Sequence, residues 1–285
     1  METIPIRQLY VTRTEPALSG KFNIRKITEL LDGKDMLEEL HRHDFFYILA
    51  LEKGAGFHDI DFNPYTISDH SVFFMRPGQV HKIGLKEGSK GYLISFRDEF
   101  YFPQDKTSGQ LLRKASHFNH YQFPADSFQK LYGVLNDIFL EHSDKKERYQ
   151  EAIKANLELF FIGLLRQQDN RPAAHANLYM QEQLEKFLEL LEIHVFSHKQ
   201  VSEYAEMLNL STYQLNAIAK TTLGKTCLVL INEYLILESK RYLLATSGQV
   251  NQIAHHLGYE DVSYFIRFFK KHTGSSPEEF RHNFR

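Results

Sequence analysis

The stretch from Ile253 to Arg281, IAHHLGYEDVSYFIRFFKKHTGSSPEEFR, constrains this chain more than any other. Ile253, Ala254 and Leu257 put apolar side chains on one face of a short helix. Gly258 then supplies the backbone freedom of a sharp turn. Glu260 and Asp261 stand where the next helix begins, with Asp261 as its N-cap. From Val262 the residues Phe265, Phe268 and Phe269 recur at helical spacing, which leaves Ser263, Arg267 and Lys270 on the opposite face. Gly274 ends that helix, and Ser276-Pro277 opens another with Ser as N-cap and Pro in the first turn. The pattern predicts a helix-turn-helix with a polar, partly basic outer face, the shape that enters a DNA major groove. Periodicity alone goes no further, because many helix-turn-helix units bind no DNA.

The unit is repeated. Ala205, Leu208, Asn209, Leu215, Lys220 and Gly224 shadow Ala254, Leu257, Gly258, Phe265, Lys270 and Gly274. Asn209 stands where the second copy has Gly, and Asn tolerates a left-handed turn better than most residues. Ser211 caps the following helix, and a long helix over Thr226 to Ala245 joins the two copies. A repeated helical hairpin can be a plain scaffold. Two copies on one rigid connector favour two recognition helices held at a fixed separation, suited to successive major grooves.

The second copy resembles the second helix-turn-helix of the AraC/XylS family of transcriptional regulators. The matching residues are Ile253-Ala254, Leu257-Gly258-Tyr259, Ser263-Tyr264-Phe265, Arg267, Phe269-Lys270-Lys271, Gly274, Ser276-Pro277 and Phe280-Arg281. The resemblance covers about the last hundred residues. It implies a homodimeric regulator, an activator more than a repressor, working with RNA polymerase on double-stranded DNA. Four positions depart from the family's habit. Ala217 and Ala219 stand where Arg and Phe are frequent, and Tyr234 and Ser239 where Arg and Ala are. The first unit is therefore expected to contribute less DNA affinity than the second.

On the first recognition helix the outward side chains are Thr212, Tyr213, Gln214, Asn216 and Lys220; on the second, Ser263, Arg267, Lys270 and Lys271. Gln and Asn can pair with adenine, and Tyr or Thr can touch a thymine methyl. The fork of Arg267 matches guanine or phosphate, and the lysines suit phosphate, which positions without specifying. The plainer reading of each is a solvated surface side chain. Net charge is −2, so nothing in the bulk composition points to nucleic acid, and the DNA reading rests on local placement.

Residues 21 to 101 read as short strands: Lys21 to Thr28, Phe45 to Leu51, Gly56 to Phe62, Ser71 to Met75 and Gly91 to Phe96. Turn signals at Lys53-Gly54, Asn63-Pro64, Ser68-Asp69, Pro77-Gly78 and Glu87-Gly88 separate them. Such spacing predicts a barrel or jelly roll. His41-Arg42-His43 and the later Pro77-Gly78-Gln79-Val80-His81 resemble the two motifs of the cupin fold. Imidazoles two apart on a strand share a face, so His41 and His43 can point together into a barrel. The carboxylate of a cupin metal site is missing: Tyr47 and Ile48 stand where it would fall. Three histidines can still hold a metal, yet polar lining and contact with a small effector are the readings adopted, and no metal or cofactor is assigned. The ligand-contact set is His41, His43, Tyr47, Arg76 and His81, with His58 a further candidate.

Residues 102 to 123 read as irregular, and two amphipathic helices follow, Ser127 to His142 and Tyr149 to Gln168. They can pack on the barrel and on each other, form a dimerisation pair as the resemblance implies, or do both. The expected architecture is an α+β, multidomain chain. It has a cupin-like sensor barrel over 1–123, a helical dimerisation segment over 124–168 and a linker over 169–176. An all-α DNA-binding domain of two helix-turn-helix units joined by a long helix occupies 177–285. The lone Cys227 forms no internal disulfide, residues 1–20 have no apolar signal-like run, and no window of 18 residues is apolar throughout. These expectations fit a cytoplasmic protein with no membrane contact. No nucleophile and base stand at credible spacing, so no catalytic residue is assigned and the chain reads as a non-enzyme. Two rivals stand beside the regulator: a cupin metalloenzyme on His41, His43 and His81, and a DNA-binding protein with no effector.

Overall fold

The computed structural model describes residues 6–7, 20–101, 106–169, 178–246 and 248–283. The chain divides into two compact units, one over 4–172 and the other from 173 to 285. Most of the expected linker, 170–176, and most of the N-terminal run, 1–20, lie outside the described residues.

The first unit opens with β1 (Ile6–Arg7), β2 (Phe22–Lys26), α1 (Ile27–Leu31), β3 (Met36–His43) and β4 (Phe46–Lys53). It continues through β5 (Gly56–Ile60), β6 (Asn63–Ile67), β7 (Ser71–Met75), β8 (Val80–Leu85) and β9 (Lys90–Phe96). Then come α2 (Asp98–Tyr101), α3 (Lys106–Ser116), β10 (His120–Gln122), α4 (Ala125–Asp144) and α5 (Tyr149–Asp169). The strands form two five-stranded sheets, ordered β1-β3-β8-β5-β6 and β10-β7-β4-β9-β2.

Central strands β4 and β7 explain the layering. Phe46 to Leu51 and Ser71 to Met75 are buried without alternation, as strands covered on both faces must be. Tyr47, Leu49, Leu51, Phe73 and Met75 share one core cluster with Ile60, Ile67, Ile83 and Leu85 of the other sheet. Ile48, Ala50, Val72 and Phe74 face the opposite way and pack with Phe128, Leu131, Leu135 and Ile138 of α4 and Ile153, Leu157, Phe161 and Leu164 of α5. The α4 and α5 stripes are the ones that the periodicity predicts, and they cover one sheet of the sandwich.

Several local expectations are corrected. Residues 106–116 form α3, and 120–122 a strand that pairs with β7, where the sequence reads as irregular. The apolar set of α3 is small, and burial of Leu112 and Ala115 in the helix-covered core supplies what propensity does not. Met36–His43, Asn63–Ile67 and Val80–Leu85 are strands that the turn signals had left unassigned. The turn expected at Asn63-Pro64 lies two residues earlier, at Asp61 and Phe62, both with positive φ (48° and 69°). Pro64 is tolerated because β6 is an edge strand. Ile27 and Thr28, expected to extend the first strand, begin α1 instead.

The second unit is all helical: α6 (Leu178–His194), α7 (Val201–Met207), α8 (Thr212–Leu223), α9 (Cys227–Ala245), α10 (Val250–His256), α11 (Val262–Thr273) and α12 (Pro277–Asn283). The first of each pair of hairpin helices starts in the same way. Glu203 reaches back to the Gln200 N–H at 2.7 Å, and Gln252 to the Gln249 N–H at 3.0 Å. The long connector α9 packs against α8, α10, α11 and α12. It is buried nearly all round, through Ile231, Leu235, Ile236, Leu243 and Leu244. Ser239 is fully buried there, and its hydroxyl donates to the Leu235 carbonyl at 2.6 Å, which satisfies the group where Ala is the family's habit. Cys227 is buried at the start of α9, and burial pushes its thiol pKa up to about 11. Among the described residues no helix is long and apolar enough to cross a membrane.

Candidate functional site

The turns that set the two candidate recognition helices differ in residue type and agree in backbone. Asn209 has φ 54° and Gly258 φ 74°. Gly258 is required for a second reason: a Cβ there would lie 1.7 Å from the Phe196 carbonyl oxygen. Lys199 clamps the same place, donating at 2.8 Å to both the Phe196 and the Gly258 carbonyls. Its pKa is lowered, mainly by burial.

In α11, Asp261 accepts from the Ser263 N–H at 2.7 Å, and Gly274 closes the helix with φ 84°. Phe265 and Phe269 are fully buried, so the helix can present only its other side. That side carries Ser263, Arg267, Lys270 and Lys271, all exposed. Arg267 makes one long contact, 3.8 Å to Asp261, with both side chains more than 60% exposed. Such a solvated pair contributes little and leaves the guanidinium open to exchange for phosphate or a base.

In α8, Leu215, Ile218 and Ala219 are buried, and Thr212, Tyr213, Gln214 and Lys220 are exposed. Tyr213 is 82% exposed, unusual for an aromatic ring and apt for a surface that gains a partner. Gln214 is tied into its own helix start: its Oε1 accepts from the Ser211 N–H at 2.9 Å. Asn216 is placed otherwise than expected. It is half-buried, with Nδ2 donating to the Thr212 carbonyl at 3.0 Å and Oδ1 accepting from the Cys227 N–H at 3.0 Å. That second bond caps the first turn of α9, so Asn216 ties a recognition helix to the connector and is not presented as an adenine reader. Aligning α8 with α11 sets Tyr213, Ala217, Lys220 and Thr221 against Ser263, Arg267, Lys270 and Lys271. The second helix holds three cations where the first holds one.

Arg281, part of the motif, belongs to the frame. It is buried, and it donates to the Leu243 carbonyl at 2.9 Å and to the Gly248 carbonyl at 2.7 Å. Leu243 lies in the last turn of α9, where carbonyls lack helical partners and a cation complements the helix dipole.

The sandwich holds a cavity of about 510 Å³. Its polar lining comprises Asn23, Arg25, Glu38, His41, His43, Tyr47, His81 and Ser95. Four of the five expected contact residues therefore meet there. Arg76 does not line it: its backbone N–H bonds Gln79 at 2.7 Å at the turn after β7. Arg25 takes the place that Arg76 was expected to fill. His58 is fully buried behind the wall, its Nε2 2.8 Å from His81 Nδ1. Burial, with the neighbouring His41, His43 and His120, lowers its pKa to about 3. His81 Nε2 lies 2.9 Å from His43 Nε2, and Tyr47 stacks on the His43 ring with centroids 5.2 Å apart.

Asn23, Arg25, Glu38 and Ser95 are not singled out in the sequence, whose short strands leave the face of their polar positions unassigned. Phe22 and Ile24 pack in the helix-covered cluster. Strand alternation then turns Asn23 and Arg25 toward the cavity. The alternation was legible; knowing which face was inside needed the helix layer.

Two family models match the chain: "AraC-like ligand binding domain" over residues 32–161 and "Helix-turn-helix domain" over 204–283. The chain belongs to the AraC/XylS family of transcriptional regulators. It is 27% identical over 256 residues to the HTH-type transcriptional activator RhaS of Pectobacterium atrosepticum, covering 85% of this chain and 87% of that one. It is 25% identical over 285 residues to the arabinose operon regulatory protein of Salmonella typhimurium, covering 95% and 98%. A solved structure of ToxT from Vibrio cholerae aligns at a TM-score of 0.44 and 17% identity over 92% of this chain and 98% of that one. RhaS and the arabinose operon protein are transcriptional regulators by name, and the order of the two matched models, ligand-binding then helix-turn-helix, agrees with the α+β architecture of a cupin-like sandwich and a helical unit.

Proposed function

We propose that this protein is a sequence-specific DNA-binding activator of transcription whose output is set by a small molecule in the N-terminal cavity. The observation that carries the reading is the pairing of two capped, polar-faced helices on one buried connector, with the cationic set Arg267, Lys270 and Lys271 concentrated on the second. Arg267 reads bases or grips phosphate; Lys220, Lys270 and Lys271 bind phosphate; Ser263, Thr212, Tyr213 and Gln214 complete the contact surface. Asn216 acts indirectly, by fixing α8 on α9.

The protein works as a homodimer and with RNA polymerase. Leu140 on α4 and Leu159 on α5 are 47% and 56% exposed, which supports a subunit contact through the helix layer. Dimerisation offsets the modest affinity expected of a nearly neutral chain. An effector regulates only through unequal affinity for two arrangements of the protein, so its binding must differ between them. No reaction is assigned: the chemistry is recognition, in a cytoplasmic setting.

Selection of binding sites from random duplex DNA at physiological salt tests the reading. One enriched motif, with sub-sites about a helical turn apart, is the expected result. Recovery of only salt-sensitive, sequence-blind binding, with and without small molecules that stabilise the protein, would overturn it.

A further inference from the structure

We propose that His41, His43 and His81 form a binding site for a divalent transition-metal ion of the zinc class, at the wall of the N-terminal cavity. All three are buried, and their ligand atoms lie within 4.8 Å of one another. Nitrogens held tetrahedrally at about 2.0–2.1 Å from zinc stand roughly 3.4 Å apart, so the trio closes on an ion with side-chain shifts on the order of an ångström. His43 and His81 already have Nε2 atoms 2.9 Å apart.

The donors sit on regular structure. His41 and His43 alternate on β3, and His81 is the register partner of His41 on the neighbouring β8. Ligands on paired strands are held more firmly than ligands on loops. The outer ring nitrogens of His41 and His81 are engaged in the way that metal-binding histidines require. His41 Nδ1 lies 2.7 Å from the Glu39 carbonyl, which only accepts, so Nδ1 carries the proton and Nε2 the lone pair. His81 Nδ1 faces His58 Nε2 at 2.8 Å, and donation to it leaves His81 Nε2 for the ion. His58 is thus a positioning residue: it lies behind a ligand and does not line the cavity.

Three neutral donors leave the ion its full positive charge and an open coordination position. Arg25 and the carboxylate of Glu38 both line the same cavity, so the fourth position suits a carboxylate oxygen, from Glu38 or from a bound molecule. Resting on the regulator reading for its consequence, the ion is part of the effector site.

The test uses full-length protein stripped with a chelator and titrated with Co2+, read by visible absorption. The expected result is a saturable band at one ion per chain, displaced by Zn2+ and absent in His41→Gln and His43→Gln. His58→Gln keeps the stoichiometry and weakens binding about 10- to 100-fold, as loss of an outer partner does. Circular dichroism confirms folding, and two separate ligand variants guard against one failing to fold. No saturable uptake, or full uptake by a folded His41→Gln and a folded His43→Gln, overturns the site. Site selection on DNA is run on the same preparation. Specific DNA binding without cobalt uptake sinks the metal site alone, and cobalt uptake without specific DNA binding upholds the site and sinks the regulator reading alone.

Discussion

Replacing Gly258 by alanine destabilises the C-terminal unit by about 4 kcal/mol, and the magnitude has separable parts. A φ of 74° costs an L-residue about 1–2 kcal/mol. The new Cβ would lie 1.7 Å from the Phe196 oxygen and 2.9 Å from its carbonyl carbon, both backbone atoms that cannot rotate away. Relieving that overlap moves the turn off the end of α6, at about 1–3 kcal/mol for overpacking. The same movement breaks at least one of the two bonds that Lys199 makes across the gap, worth about 1 kcal/mol. Gly274→Ala is the control: its φ is 84°, but a Cβ there meets nothing within 4 Å, so only the backbone cost of about 1–2 kcal/mol remains. Urea unfolding read by reaction of the Cys227 thiol is the assay, since this lone, buried cysteine reports the C-terminal unit alone. The reasoning is refuted if Gly258→Ala costs no more than Gly274→Ala.

Other substitutions separate frame from contact. Asn216→Ala removes the side chain that accepts from the Cys227 N–H and lowers stability by about 1 kcal/mol, with the base preference of selected DNA unchanged. Altered preference at one base pair, with stability kept, would restore Asn216 as a reader. Arg281→Ala strands the Leu243 and Gly248 carbonyls at about 1–3 kcal/mol each, seen as a lower denaturation midpoint. An unchanged midpoint would contradict the framing role. Lys270→Ala weakens binding to all sequences alike and reduces the salt slope by about one, measured by titrations at several salt concentrations.

Much of the second unit was legible because each helix boundary is written locally. Asp261, Gly274, Ser211 and Gly224 are caps whose chemistry names the ends, and the phenylalanine spacing names the buried face. The continuous apolar runs of β4 and β7 were equally legible as strands, though not as strands covered on both sides. What the sequence hides is set by distant partners. Short α3 has too few apolar residues to declare itself, and it is held by the core beneath it. Asn216 looks like any outward polar residue until α9 brings the Cys227 N–H to it. Arg25 and Arg76 are indistinguishable by type. Only the placement of the helix layer decides that Arg25 faces the cavity and that Arg76 does not line it.

The measurement that tests the central claim most directly is the affinity of Arg267→Ala for the DNA motif selected by the parent protein, set against its affinity for random duplex. The expected result is a folded protein whose preference for the motif falls roughly 5- to 150-fold, the loss of about 1–3 kcal/mol for one good base contact. A folded Arg267→Ala that keeps both the parent's full preference and its affinity would contradict the reading of Arg267 as a DNA contact.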